Sequence, residues 1–129
     1  MLWSGTVLWS GTVLEELHVS NLGLLAEARV EPGPGLVVVT GETGAGKTLL
    51  LGALQLLRGD AARRDRVGPA GPELLVEGRF VVADSERVAA RRVTKEGRSR
   101  AYEDGAMVTA QRLTETFAPM IEILSLIHI

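Results

Sequence analysis

The sequence predicts an α/β fold in which a glycine-rich loop joins a buried strand to a buried helix, with an antiparallel β layer beside them. Three observations predict this fold. Residues 36–40, LVVVT, form a continuous β-branched run of the kind that a parallel sheet buries on both faces. Residues 47–58 leave almost no polar face for a helix, so this helix is expected to be buried. Residues 74–82 alternate apolar and polar side chains, which is typical of a half-exposed antiparallel strand.

Length and composition restrict the class of protein. The chain has 129 residues, enough for one domain with a core, and 46% of them are hydrophobic, which excludes a largely disordered protein. It has no cysteine, which excludes a disulfide framework and a thiolate metal site and fits the reducing cytoplasm. No apolar run approaches the roughly 20 residues of a membrane-spanning helix, so no membrane partner is expected. The net charge of −2 by itself argues neither for nor against nucleic acid.

Both ends of the sequence look foreign to the segment between them. The hexamer LWSGTV occurs at residues 2–7 and again at 8–13, and we expect residues 1–13 to be a non-native extension; the alternative is an aromatic docking arm. Residues 124–129, LSLIHI, resemble a translated sequencing adaptor, and the alternative is a native apolar strand end. The native lobe is therefore expected to comprise residues 14–123.

The segment before the glycine-rich loop is expected to form strands. Residues 14–32 predict two short strands around a turn at 21–23, and residues 32–35, PGPG, predict a rigid turn before the buried strand. The side chains expected to face inward are Leu17, Val19 and Leu22, and those expected to face outward are His18 and Ser20.

The segment after the glycine-rich loop begins with the buried helix. Gly59 is suited to the position that ends it, and residues 60–72 predict a loop. In the strand at 74–82, the side chains expected on one side are Val76, Gly78, Phe80 and Val82, and those on the other are Glu77 and Arg79.

The last part of the chain is expected to contain strands and one helix. Residues 88–108 predict strands joined by turns at 95–97 and 103–105, because each turn contains a glycine after charged residues. A helix follows, with Thr109 as its N-cap and its end near Pro119.

The loop between the buried strand and the helix reads GETGAGKT and fits G-x-x-x-x-G-K-[ST] at every constrained position. Its glycines let backbone N–H groups approach phosphates closely, and the helix N-terminus adds partial positive charge. Lys47 would supply a full charge to the β- and γ-phosphates, and Thr48 a hydroxyl to Mg²⁺. The predicted nucleotide-binding residues are Gly41, Glu42, Thr43, Gly44, Ala45, Gly46, Lys47 and Thr48, with Thr48 also at the metal. The alternative is an ordinary glycine-rich turn.

Hydrolysis needs more than this loop. It requires an acidic residue on a neighbouring strand for Mg²⁺ and a group that positions water. Asp84 ends the apolar stretch 80–84, but the alternation with Glu77 and Arg79 suits an antiparallel strand rather than a central parallel one. We therefore expect no catalytic residue in this chain.

Basic residues cluster in the predicted β layer, and Arg98 and Arg100 are the candidate DNA contacts. The residues that would share this surface are Arg91, Arg92, Lys95 and Tyr102. A second basic group, open to the same two interpretations given next, consists of Arg63, Arg64 and Arg66 beside Asp60 and Asp65. Basic residues with an aromatic could contact phosphates without base specificity. The alternative is a solvated hairpin whose arginines keep an edge strand from aggregating.

Several stretches together resemble the N-terminal part of the RecN family, the bacterial double-strand-break repair ATPases built like the structural-maintenance-of-chromosomes (SMC) proteins. They are LEELHVSNLGLLAEARVEPGPGLVVVTGETGAGKT, LLLGALQLLRG, VEGRF and GRSRAYEDG, and the most specific are the loop at 41–48 and residues 97–105. The resemblance covers about residues 14–123. It implies the N-terminal lobe of an ABC-type ATPase head of the P-loop class, with ATP and Mg²⁺ at 41–48. It also implies a homodimer of heads that acts on DNA in the bacterial cytoplasm, at the nucleoid.

The resemblance also indicates what this sequence does not contain. The family's glutamine loop is expected just after residues 120–123, where LSLIHI stands, and the coiled coil, the signature loop, the acidic Walker B strand and the switch histidine are absent. The predicted function is therefore the ATP-binding part of a RecN-like ATPase in DNA double-strand-break repair and recombination, a fragment that binds nucleotide without turnover. The alternatives are another SMC-like ATPase and a P-loop small-molecule or nucleotide kinase, although the alternating strands at 74–108 argue against a kinase.

Overall fold

The computed structural model describes residues 12–30, 37–40, 51–82 and 84–128. Helix α1 is described over residues 51–57, a short 3-10 helix spans Arg64–Arg66, and helix α2 spans Ala110–His128. The strands are β1 (Thr12–Leu22), β2 (Leu25–Val30), β3 (Val37–Thr40), β4 (Glu73–Val82), β5 (Ser85–Thr94), β6 (Ser99–Glu103) and β7 (Ala106–Val108).

The described strands form one sheet in the order β3-β2-β1-β4-β5-β6-β7. Every neighbouring pair in it is antiparallel. The antiparallel layer predicted from residues 74–108 is confirmed, whereas the parallel environment predicted for residues 36–40 is wrong for the pairing described: β3 pairs antiparallel with β2, and Thr40 lies opposite Glu27. A run of valines indicates a buried strand but not whether its neighbour runs parallel or antiparallel, so the predicted strand direction was wrong.

Strands β1 and β2 form a hairpin that presents one apolar face. Leu17, Val19 and Leu22 are buried, as predicted. The turn falls at residues 23–24 instead of 21–23, since Leu22 and Leu25 are the last paired residues. Asn21 stays in the strand with a left-handed backbone (φ 57°), which asparagine tolerates better than most residues.

The core lies between one face of the sheet, called the inner face, and the two helices. On β4 the predicted alternation is confirmed: Val76 and Phe80 are fully buried, and the ring of Phe80 lies 5.3 Å from that of Phe117 on α2. Helix α1 contributes Leu54 and Leu57 to the same core. The opposite, outer face of the sheet carries the polar side chains.

Helix α2 begins as predicted and ends later than predicted. The backbone N–H of Arg112 donates to Thr109 Oγ1 at 3.1 Å, so Thr109 is the N-cap. The helix then runs through Pro119 to His128. Proline removes one helical hydrogen bond, but Phe117 and Ile121 are buried on either side of it, and their packing holds the helix on the sheet. The last predicted segment, 124–129, therefore begins within α2.

Candidate nucleotide site and basic sheet face

The predicted phosphate-binding loop, residues 41–48, lies outside the described residues, as do 49–50. The structure describes its two neighbours. Strand β3 ends at Thr40, directly before the loop, and α1 is already helical at residue 51. The strand and the helix predicted on either side of the loop are thus confirmed, and the contacts of the loop residues themselves stay a prediction.

Helix α1 ends in a well-defined capping arrangement. Gly59 has φ 95°, its N–H donates to Leu56 O at 3.1 Å, and the N–H of Asp60 donates to Gln55 O at 3.1 Å. These two bonds make a Schellman motif with Gly59 at C′, as the sequence predicted. Thr114 Oγ1 of α2 also donates to Arg58 O at 2.8 Å. The end of α1 away from the loop is therefore fixed to its surroundings by hydrogen bonds.

Arg91 of β5 is buried beneath this end of α1, with 2% of its surface exposed. Its Nη1 donates to Leu56 O at 2.8 Å and to Asp60 O at 3.0 Å, and its Nη2 donates to Ser99 Oγ at 2.7 Å. Burial lowers the pKa of Arg91, and the charge of Asp60 opposes that effect. The placement of Arg91 on a DNA-facing surface is therefore wrong: this side chain points into the core.

The sheet approaches α1 closely at Gly78. A Cβ at this position would lie 2.7 Å from Leu57 Cδ1 and 3.0 Å from Phe80 Cε1, so these side chains would have to shift to make room for it. Gly78 therefore lets the helix rest directly on β4. This contact was not foreseen, although an isolated glycine inside a strand pattern is a known signal of close backbone approach.

The loop after α1 is tied to the end of β1. Asn21 Nδ2 donates to Gly71 O and Glu73 O, both at 3.0 Å, and the N–H of Ala70 donates to Asn21 Oδ1 at 2.9 Å. The buried amide of Asn21 is thereby well satisfied, and it holds the loop against the sheet.

Two arginines of this loop, Arg63 and Arg66, lie near α1. Arg63 forms an ion pair with Asp65 at 2.8 Å, so a neighbouring carboxylate balances its charge. A Cβ at Gly52 would lie 2.8 Å from Arg66 Nη1, so the guanidinium of Arg66 rests over the helix. Arg63 and Arg66 line a shallow groove of about 390 Å³ together with Gln55.

The outer face of β4, β5 and β6 forms a groove of about 470 Å³. Arg98 and Arg100 are exposed there, and neither guanidinium forms an ion pair with any residue that the structure describes. Arg92 is different, since its Nη1 lies 2.7 Å from Glu73 Oε1. The remaining lining residues are Leu75, Glu77, Val88, Ala90, Thr94, Tyr102 and Gly105. Arg98, Arg100 and Tyr102 therefore share one face, as predicted.

The groove and the end of β3 lie at the same end of the sheet. Strand register places Thr40 and Arg100 in one row, through Glu27, Ser20, Leu75 and Arg92. Five strand spacings of about 4.8 Å separate the two ends of this row, or about 24 Å. Because α1 packs on the inner face, the basic groove and the helix lie on opposite faces of this end of the sheet.

Asp84 lies far along the sheet from the row of Thr40, the residue that precedes the predicted phosphate-binding loop. It occupies the turn between β4 and β5 with φ 68° and is exposed. The row of Thr40 crosses β4 at Leu75, and Asp84 lies nine residues further on, about 30 Å along an extended strand. In the part of the chain that the structure describes, no group of three or more His, Asp or Glu could hold a metal ion. His18 Nε2 lies 2.9 Å from Glu27 Oε2, and among the described residues these two form no larger group of possible metal ligands.

Glu103, which the sequence predicts to begin a turn, is a buried acid at the end of β6. Its carboxylate, 7% exposed, accepts hydrogen bonds from Arg87, Arg112 (3.0 Å from Nε) and Thr116 (3.2 Å). The hydrogen bond from Arg112 is the largest of the effects that hold the pKa of Glu103 below its usual range, and desolvation opposes it. Glu103 therefore links β5, β6 and α2. Its partners Arg87 and Arg112 lie 16 and 9 residues away, so no local sequence pattern indicated this role.

Comparison with known proteins settles the family. The model of the AAA domain family matches residues 16–121, which is most of the chain. The chain belongs to the AAA domain family. Its sequence is also 36% identical over 104 residues to the DNA repair protein RecN of Deinococcus radiodurans, a match that covers 79% of this chain and 18% of that protein. The predicted resemblance to RecN is confirmed.

Solved structures show the fold of this AAA domain. An SMC ATPase, from work on ATP-driven dimerization and DNA stimulated activation, superposes with a TM-score of 0.65 at 18% identity, covering 81% of this chain and 77% of that one. The recombination mediator protein RecF-ATP superposes with a TM-score of 0.66 at 18% identity, covering 84% and 32%. The predicted SMC-type head lobe of the P-loop class is thereby confirmed as the fold.

The extent of these matches limits what they say about activity. The AAA domain described here spans about a fifth of the length of the curated RecN proteins it matches. Within the residues that the structure describes, neither helix is long and apolar enough to cross a membrane.

Proposed function

We propose that this chain is the ATP-binding lobe of a RecN-like ATPase that acts in DNA double-strand-break repair and recombination. The observation that carries the proposal is GETGAGKT standing between β3 and α1 in a chain of the AAA domain family. Backbone N–H groups of residues 41–48 would bind the phosphates, Lys47 would balance their charge, and Thr48 would hold Mg²⁺. The bound Mg²⁺ would neutralise charge on the phosphate oxygens.

The surroundings of the loop fit such a ligand. Strand β3 ends at Thr40, directly before the loop, and α1 packs on the sheet through Leu57, with its far end capped and hydrogen-bonded. Its other end therefore faces the loop, so the positive end of the helix dipole would be directed at the phosphates. All described strand pairings are antiparallel, which favours this proposal over a kinase built on a parallel βαβ series.

We further propose that the chain by itself binds ATP without hydrolysing it. Asp84, the acid considered from the sequence, lies about 30 Å along β4 from the row of Thr40, too far to reach the same Mg²⁺. An acid and a water-positioning group from elsewhere would complete the reaction.

DNA and a second head are the proposed partners. The SMC ATPase of similar fold is named for ATP-driven dimerization and DNA stimulated activation, and RecN is named a DNA repair protein. By analogy, we propose that two such heads pair when ATP is bound and that Arg98 and Arg100 contact DNA phosphates. A protein with this partner would work in the cytoplasm, where bacterial DNA lies.

The test of the nucleotide site is the substitution Lys47→Ala. We expect the unaltered chain to bind a fluorescent ATP analogue in the presence of Mg²⁺, and the variant to lose at least about 100-fold in affinity because a buried phosphate charge is left unbalanced. Arg29→Ala, which removes an exposed arginine on β2, is the control and should leave the affinity unchanged. Undiminished binding by the Lys47 variant would contradict the proposed site.

A further inference from the structure

We propose that Arg91 is a positioning residue: together with Ser99, it fixes α1 along its axis and thereby places the phosphate-binding loop at the other end of the helix. This inference rests on the proposed nucleotide site. It concerns a side chain that neither touches the loop nor belongs to the GETGAGKT motif.

The contacts of Arg91 are directional and join three parts of the chain. Nη1 donates to Leu56 O in the last turn of α1, at 2.8 Å, and to Asp60 O just past the helix, at 3.0 Å. Nη2 donates to Ser99 Oγ on β6 at 2.7 Å, which orients the guanidinium plane. The last carbonyls of a helix carry partial negative charge, so a cation at this place forms strong, charge-assisted bonds.

Apolar packing alone would not fix α1 in this way. The helix buries Ala53, Leu54 and Leu57 against the sheet, and such contacts change little when a helix slides or turns by a fraction of an ångström. Hydrogen bonds to named carbonyls weaken steeply with distance and angle. Arg91 therefore supplies the geometric restraint that the leucines do not.

A buried arginine is also a costly way to stabilise a fold. Arg91 lies between Val76 and Ala101 on the inner face, is 2% exposed, and its Nε has no hydrogen-bond partner among the described residues. An apolar residue of similar volume is often neutral or stabilising at such a site. The presence of a cation therefore points to a geometric role, because positioning needs donors whereas stability does not.

The restraint acts on the loop through a short, stiff helix. In a helix that starts at Lys47, as the sequence predicts, Leu56 lies nine residues or about 14 Å further along the axis. Phosphate binding by backbone N–H groups depends on donors placed to within about 0.5 Å, so a small axial shift of α1 would weaken several of these bonds at once.

The experiment compares stability with nucleotide affinity in the whole chain. The variants are Arg91→Met, which keeps length but loses the donors, Arg91→Lys, and Ser99→Ala, which removes only the bond to Nη2. The matched control is Arg92→Met. Arg92 is the next residue on β5 and faces outward, and its substitution removes the same charge as Arg91→Met. Thermal unfolding without ligand and the Kd of a fluorescent ATP analogue with Mg²⁺ are measured for each.

We expect Arg91→Met to weaken ATP binding at least about tenfold even at temperatures where it is fully folded, whatever the direction of its change in Tm. The ATP affinity of Arg91→Lys should lie between those of Arg91→Met and the unaltered chain. Ser99→Ala should weaken ATP binding about threefold, and Arg92→Met should change it less than about twofold. A folded Arg91→Met variant with the Kd of the unaltered chain would overturn the inference. If that variant does not fold, an unchanged Kd for Ser99→Ala overturns it instead. An unaltered chain that binds no ATP would remove the proposed function itself, which is a distinct result.

Discussion

Arg91 and Arg92 are neighbours in sequence and have opposite surroundings. Strand alternation turns Arg91 toward α1 and Arg92 toward solvent, where it pairs with Glu73. Basic residues that are adjacent in sequence are therefore divided between the two faces of the sheet when they lie in a strand. The same alternation divides GRSRAYEDG: Ala101 and Glu103 are buried, whereas Arg98 and Arg100 face the groove.

Glu103 gives a prediction about pH. Its pKa is lowered in the folded state, first by the hydrogen bond from Arg112, so its contribution to stability is fully present above the pKa that Glu103 has in the unfolded chain and is lost as pH falls through its lower folded pKa. We expect Glu103→Gln to lower the free energy of unfolding by about 2 kcal/mol at pH 7. The difference from the unaltered chain should shrink toward pH 3.

Urea unfolding at both pH values measures this difference. Glu73→Gln is the control, since Glu73 pairs with Arg92 on the exposed face and should matter by less than about 1 kcal/mol. A deficit in Glu103→Gln that is equally large at pH 3 and pH 7 would show that the loss of charge is not its cause.

At the scale of elements, the contact between β4 and α1 gives a second prediction. Gly78→Ala places a Cβ 2.7 Å from Leu57 Cδ1 and 3.0 Å from Phe80 Cε1, so the Leu57 side chain or α1 itself must shift. We expect the free energy of unfolding to fall by about 1–3 kcal/mol, as in overpacked cores, and denaturant unfolding to measure it.

Gly71→Ala is the matched control for this substitution. Its Cβ would meet only Asn21 Nδ2, at 3.8 Å, which is ordinary contact. Its stability should stay within about 0.5 kcal/mol of the unaltered chain. If Gly78→Ala were as stable as this control, the close approach of α1 to β4 would be incorrect.

Elements whose signals are local were predictable from the sequence. The alternation of β4, the Schellman glycine at Gly59 and the turns at 95–97 and 103–105 all appear as expected, because each depends on residues within one turn or strand. The direction of the neighbour of β3 and the passage of α2 through Pro119 were not predictable, since they depend on distant packing. The role of Arg91 is of the same kind: its carbonyl partners precede it by more than 30 residues.

At the scale of the molecule, the outer face of the sheet has one region where polar side chains are paired and another where arginines are unpaired among the described residues. Glu16 pairs with Arg79, Glu27 with His18, and Glu73 with Arg92. Arg100, at the β6 end of the row that begins at Thr40, and Arg98, just before β6, face solvent without such partners in the described part of the chain. These two unpaired cations are the reason for proposing a DNA contact at that corner.

The corresponding prediction concerns salt. Replacing Arg98 and Arg100 together with alanine should weaken binding of duplex DNA to the chain and reduce the slope of log K against log salt by up to about 1.8, because two phosphate contacts are lost. Fluorescence anisotropy at several salt concentrations measures both quantities. The double substitution Arg29→Ala, Arg63→Ala removes the same charge from arginines that already have ion-pair partners. Equal effects of the two double substitutions would show that only net charge matters.

The anchoring of α1 has a consequence for the order of folding during synthesis. Its far end depends on Arg91 and Ser99 and on Thr114 of α2, all of which leave the ribosome well after the helix itself. Contacts of such sequence separation form late, since the intervening chain must first be closed into a loop. A nascent chain that has just completed α1 would therefore hold its glycine-rich segment unanchored, and affinity for nucleotide would arise only as translation passes α2.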